Sequence, residues 1–263
     1  MKNDQVVSVY EKSTAVIRWV DEFCRDNLKS YFIVAFGSYA ANRMTQDSDI
    51  DLIVFSKNPE PFLCKTLALE FINQCSTLGI STQAQIPHEL YIISPYKTLI
   101  EGICGEGFDI DEGKLVIPQR IEHPDFYCSQ KMLRRFCFNA LTTHNLFCGG
   151  NNDTFIYFRT TAFCALVRFL INLTGNLTFT SKDLVKASIS EPKSGRREGR
   201  FLGYKDLPEN HVSLCEGFDH ALTLLLSNKI IQYHDGFFVI KDQEWVKEWY
   251  SYPNFIISPT EVS

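Results

Sequence analysis

Two carboxylates one residue apart, Asp49 and Asp51, and a Gly37-Ser38 step separated from them by ten residues are the groups in this chain best suited to chemistry. Side chains of an extended segment alternate between faces, so Asp49 and Asp51 project from one face, about 7 Å apart. Carboxylates so placed repel each other unless a cation lies between them. Hard oxygen donors of this kind suit Mg2+, which takes one or two protein carboxylates and completes its shell with water and substrate phosphates. Gly37 lets backbone N–H groups come close to a ligand, and the start of a following helix offers unpaired N–H groups and a positive dipole end. Together they describe a phosphate cradle facing a metal-binding carboxylate pair. An ordinary strand, turn and strand with a solvated acidic edge would account for a lone D-x-D. It does not account for Gly-Ser closing one apolar strand and D-x-D opening the next.

The elements that must position these groups follow from the pattern around them. Residues 31–36 (YFIVAF) are an apolar, aromatic and β-branched run, hence a buried strand. A segment of one or two helical turns follows Ser38, and Asp47 and Ser48 mark a turn. Residues 49–55 form a second strand, with Ile50, Leu52 and Val54 turned into a core. Residues 5–29 and 62–75 carry apolar positions at helical spacing and read as helices beside the strands. Residues 82–94 read as a third strand, with Glu89, Tyr91 and Ile93 on one face. Beside the D-x-D strand, Glu89 would stand near Asp49 and Asp51; otherwise it is a surface glutamate. A short helix is expected from Pro95 to Ile103. Asp109-Ile110-Asp111 repeats the D-x-D pattern without a preceding Gly-Ser or strand, and is expected as solvated loop.

The Gly-Ser, the ten-residue spacer and the D-x-D resemble the signature of the polymerase-β-type nucleotidyltransferases. Chain length, the spacer and the interval from Asp51 to Glu89 are most similar to the streptomycin/spectinomycin (aminoglycoside) adenylyltransferases, a family linked to antibiotic resistance. The resemblance covers residues 31–94, with a weaker echo over residues 155–190. It implies Asp49 and Asp51 as catalytic ligands of two Mg2+ ions, and Gly37, Ser38 and Ser48 at the nucleotide. Glu89 would be the third carboxylate and general base, and ATP the co-substrate. It also implies Asp183, in the Lys182-Asp183 segment, as a substrate contact. The tryptophan that this family places after its catalytic strand has no counterpart here; the tryptophans stand at positions 19, 245 and 249.

The expected fold is α+β: a nucleotidyltransferase domain over residues 1–118, built on a mixed sheet with flanking helices, then a mainly helical domain over residues 119–263. The junction is placed at residues 118–124. Helices are expected near residues 125–147, 154–173, 182–188 and 210–226, with residues 148–153 as a turn. Residues 229–240 read as a hairpin turning at Asp235-Gly236, like the wing of a winged helix. A last helix covers residues 243–250.

Composition narrows the function further. The chain of 263 residues is 45% apolar and 22% charged, with a net charge of −5. Residues 1–118 hold 10 basic and 16 acidic side chains, and residues 119–263 hold 16 and 15. An acidic catalytic half attracts Mg2+ and cationic acceptors and repels nucleic acid. With nine cysteines, no C-x-x-C pair, and no apolar leader or span in the sequence, a cytoplasmic chain with reduced thiols is expected. The stretch 191–205 (EPKSGRREGRFLGYK) is a solvated loop or an anion clamp, in which Lys193, Arg196, Arg197 and Arg200 would fork triphosphate oxygens. The acceptor expected is a small hydroxyl-bearing molecule such as an aminoglycoside. A toxin-type enzyme acting on tRNA or protein is the enzyme alternative, and a nucleotide-sensing or partner-binding module the non-enzyme one.

Overall fold

The apolar run at residues 31–36 becomes strand β1 (Tyr31–Phe36), buried along almost its whole length. The computed structural model describes residues 2–82, 92–105, 109–111, 114–116, 130–189 and 206–247. Helix α1 (Lys2–Asn27) leads into β1, and the one-turn helix α2 (Gly37–Ala40) leaves it. Strand β2 (Asp51–Ser56) runs antiparallel to β1, from the pair Phe36↔Asp51 to Tyr31↔Ser56. Helix α3 (Pro61–Leu78) and strand β3 (Ile93–Pro95) follow, and β3 lies parallel to β2.

Period-two alternation explains why β1 is apolar on every residue. Ile33 and Ala35, with Leu52 and Val54 of β2, pack against Val16, Ile17 and Val20 of α1 and Leu67 and Phe71 of α3. Phe32 and Val34, with Ile53 and Phe55, face the opposite core. There Phe32 stacks on Phe55 at 4.8 Å and on Tyr96 at 5.9 Å, the latter opening helix α4 (Tyr96–Ile103). Ile50, Leu52 and Val54 point into a core, as expected.

The rest of the chain is mainly helical, and the fold is α+β. Strands β4 (Asp109–Asp111) and β5 (Lys114–Val116) pair as a small hairpin, so the second D-x-D is strand rather than the expected loop. Helix α5 is Gln130–Thr142 and does not reach residue 147. The Asn145 side chain donates to the carbonyls of Ala140, Leu141 and Thr143 at 3.0, 3.0 and 3.1 Å, which ends the helix. The chain then enters strand β6 (Asn145–Gly150), antiparallel to β1, giving the sheet order β3-β2-β1-β6. The expected turn at residues 148–153 is therefore partly strand. Its glycines serve close approach, because a Cβ on Gly149 would lie 2.1 Å from Asp21 Oδ1.

Helix α6 (Asn152–Thr174) starts at Asn151, whose side chain accepts the Thr154 N–H at 2.8 Å. It is long and apolar enough to cross a membrane, yet 78% of its apolar window is buried inside the protein. The remaining elements are β7 (Thr178–Phe179), α7 (Ser181–Ile189), α8 (Pro208–Ser227), the hairpin β8 (Ile231–His234) and β9 (Phe237–Ile240), and α9 (Gln243–Lys247). The hairpin turns at Asp235-Gly236 as expected, and β7 adds a third strand in the order β7-β9-β8. One apolar cluster runs from Phe32 and Val34 through Phe158 and Phe163 of α6 to Phe218 of α8 and Trp245 of α9. Residues beyond 118 thus return a strand to the first sheet and share a core with it; the expected junction at residues 118–124 lies outside the described residues.

Candidate active site

The pairing of β1 with β2 brings the two halves of the sequence pattern together. Phe36 lies opposite Asp51, so Gly37 stands beside the Asp51 carboxylate. The approach is close: a Cβ built on Gly37 would fall 1.9 Å from Asp51 Oδ2 and 2.9 Å from its Cγ. Gly37 also has φ +67, in the left-handed region that glycine enters without steric cost. Both chemistry and backbone therefore require glycine here.

Ser38 follows in α2, and its hydroxyl is buried without a hydrogen-bond partner among the described residues. A buried hydroxyl lacking a partner costs stability unless a ligand or ion completes it. The backbone of the turn is closed by Ala41 N–H to the Gly37 carbonyl at 3.1 Å, Asn42 N–H to Tyr39 at 3.1 Å and Arg43 N–H to Ser38 at 2.9 Å. From α1, the Tyr10 hydroxyl accepts the Met44 N–H at 3.0 Å and donates to the Ser38 carbonyl at 3.4 Å. Its ring lies 5.8 Å from that of Tyr39. Buried Met44 and Ile50 anchor the ends of the connecting loop.

Asp49 precedes β2 rather than lying within it, and both carboxylates are half-buried. Ser48 accepts the Thr45 N–H at 2.8 Å, so its hydroxyl closes the turn that delivers Asp49. The arrangement fits a divalent cation bound to a phosphate: the β1–β2 pairing sets the Asp51 carboxylate beside Gly37, next in sequence to the buried Ser38 hydroxyl. Among the described residues no group of three or more His, Cys, Asp and Glu stands together. Glu89 and the basic side chains Lys193, Arg196, Arg197 and Arg200 lie outside the described residues.

These features coincide with what comparison shows. Residues 17–95 match the nucleotidyltransferase domain family. The matched stretch runs from α1 to β3 and contains Gly37, Ser38, Asp49, Asp51 and Glu89. No curated protein and no solved structure matches the chain. The general chemistry of a nucleotidyltransferase domain is transfer of a nucleoside monophosphate from a nucleoside triphosphate.

Asp183 stands in the first turn of α7. It lines a cavity of about 350 Å3 with Leu170, Phe179, Leu184 and Lys186, and no residue from 31–56 contributes to that cavity. Its carboxylate accepts the Thr180 N–H and hydroxyl, each at 2.8 Å, while the Asp183 N–H donates to Thr180 Oγ1 at 3.2 Å. This reciprocal pair is a capping box at the start of α7. The hydrogen bonds from Thr180 hold the Asp183 carboxyl below its usual range. A folded value below the unfolded one stabilises the protein above pH about 3.9, and that contribution drains away as pH falls through the folded value. The group is exposed, so solvent screens most of the charge effect. Asp183→Ala should cost about 0.5–1 kcal/mol in urea unfolding near pH 7, and less near pH 3. An equal cost at both pH values would remove the carboxylate from the cap.

The eight described cysteines are free thiols. Burial pushes Cys24 and Cys164 up to about 12 and Cys148 to about 11, so these sulfurs stay protonated and inert. Sequence reasoning missed Tyr10 and His144, whose hydrogen bonds with the turn are to backbone groups.

Proposed function

We propose that the protein transfers AMP from ATP to a hydroxyl of a small acceptor, of aminoglycoside type, in a Mg2+-dependent reaction in the cytoplasm. The observation that carries this reading is the Gly37 backbone held against the Asp51 carboxylate, beside the buried Ser38 hydroxyl. Asp49 and Asp51 would hold two Mg2+ ions, which supply charge neutralisation at the attacking and leaving oxygens of an in-line displacement. Gly37 and Ser38 would orient the triphosphate, with Ser48 fixing the turn between them and the carboxylates. Glu89 precedes by four residues the strand that pairs with β2, and would take the acceptor hydroxyl proton. Lys193, Arg196, Arg197 and Arg200 would steady the departing pyrophosphate. Asp183, engaged in its cap, is a substrate contact only if an acceptor reaches the cavity it lines.

A macromolecular acceptor is the second reading, favoured by the wing, where Tyr233 and Phe237 are 57% and 47% exposed. Exposed aromatics suit base stacking. Against it, α8 carries Glu209, Glu216 and Asp219 and no lysine or arginine. The test is to supply each α-phosphate-labelled nucleoside triphosphate with Mg2+ to an aminoglycoside panel and, separately, to tRNA. Label passing from ATP to an aminoglycoside is expected. Label in tRNA would select the second reading, and nucleotide binding without transfer to either would favour a sensing module.

A further inference from the structure

The turn that carries Ser38 is a helix of one turn, too short to hold its own shape. Its conformation must be imposed by neighbours. Tyr10 does this from α1. On the other side, His144 Nε2 lies 3.0 Å from the Ala40 carbonyl, a contact spanning 104 residues. A carbonyl oxygen only accepts, so Nε2 carries the proton and donates to one of the carbonyls that a helix end leaves without an internal partner.

His144 is itself fixed. Its backbone N–H donates to the Oδ1 of buried Asn210 of α8 at 3.2 Å. Ser213, one turn further along α8, donates its hydroxyl to the Thr143 carbonyl at 3.0 Å. Arg159 of α6 reaches Ser213 Oγ at 3.0 Å and Asn145 Oδ1 at 3.4 Å. A second tether runs parallel: Arg43, whose N–H closes the turn on Ser38, forms an ion pair with Glu209, the neighbour of Asn210. Of two adjacent residues in the first turn of α8, Glu209 therefore holds the turn directly at Arg43, and Asn210 holds the backbone of His144, whose ring reaches Ala40.

We infer that His144 is a positioning residue, which with the Arg43–Glu209 pair pins the Gly37–Ala40 turn to α8 and sets how tightly the cradle holds phosphate. The inference rests on the nucleotidyl-transfer reading for its effect on nucleotide, but not for its effect on the turn. His144→Phe keeps an aromatic ring and removes the donor; His144→Gln restores an N–H at similar reach. Loss of one such bond should speed amide hydrogen exchange at residues 41–43 by about five- to tenfold, with β1 and β2 amides unchanged. Mg·ATP should bind about five- to tenfold more weakly, KM should rise in step, and kcat should stay within about threefold. His144→Gln should return each quantity to within about twofold of wild type. Glu209→Gln, which leaves His144 in place, should give a smaller change in the same direction. Unchanged exchange at residues 41–43 in His144→Phe, or no recovery with Gln, would overturn the inference. If the wild-type protein binds no nucleotide while exchange responds as expected, the strut stands and the proposed function falls.

Discussion

Asp49→Asn and Asp51→Asn should each lower nucleotidyl transfer by about a thousandfold or more, with no loss of folding stability. Divalent ions at a displacement centre supply several kcal/mol of charge stabilisation, and each 1.4 kcal/mol is a factor of ten in rate. Asparagine keeps the shape of the carboxylate and removes its charge, so the fit of Asp51 beside Gly37 is retained. Without metal, the two half-buried carboxylates repel, and removing one charge should leave the thermal midpoint unchanged or slightly higher. With Mg2+ and ATP present, the wild-type protein should gain stability by linkage and the variants should not. Thermal unfolding with and without Mg·ATP, beside the transfer assay, reads both effects. Activity within tenfold of wild type in either variant would end the assignment of these carboxylates to metal.

The part of this site that was legible in the sequence is the part set by short-range periodicity. Gly37-Ser38 and Asp49/Asp51 lie at the end and start of two apolar strands, and antiparallel pairing of those strands is enough to bring them together. What is not legible is built from backbone acceptors at long range. The Ala40 carbonyl meets His144, and the Ser38 carbonyl meets Tyr10, through contacts that no side-chain pattern announces. Tyr10 reads simply as one apolar position on α1. Strand β6 is hidden for a different reason. Its Gly149-Gly150 step reads as a turn signal, whereas within the strand Gly149 serves close approach to Asp21 and Gly150 to the β1 backbone at Tyr31 and Phe32. The two residues of β7 are too few for any period to register; only the completed sheet defines them.

Gly37→Ala should damage stability and transfer together. Two costs meet at that position. The backbone is in the left-handed region, where a side chain costs about 1–2 kcal/mol. The new Cβ would also lie 1.9 Å from Asp51 Oδ2, so the carboxylate or the turn must move. Gly79, which closes α3, separates the two effects: it has φ +68, and a Cβ there meets nothing within 4 Å. Gly79→Ala should therefore cost about 1 kcal/mol of stability and leave transfer unchanged. Gly37→Ala should cost more, by about 1–3 kcal/mol for the forced displacement, and lower transfer at least a hundredfold. On the proposed role of Asp51, the rate falls because displacing its carboxylate by about 1 Å spoils the alignment of the reacting groups. Urea unfolding and the transfer assay on the two variants check the comparison. Equal stability losses with full activity in both would show that Gly37 is required for its backbone angle alone, and that the cradle does not bear on Asp51.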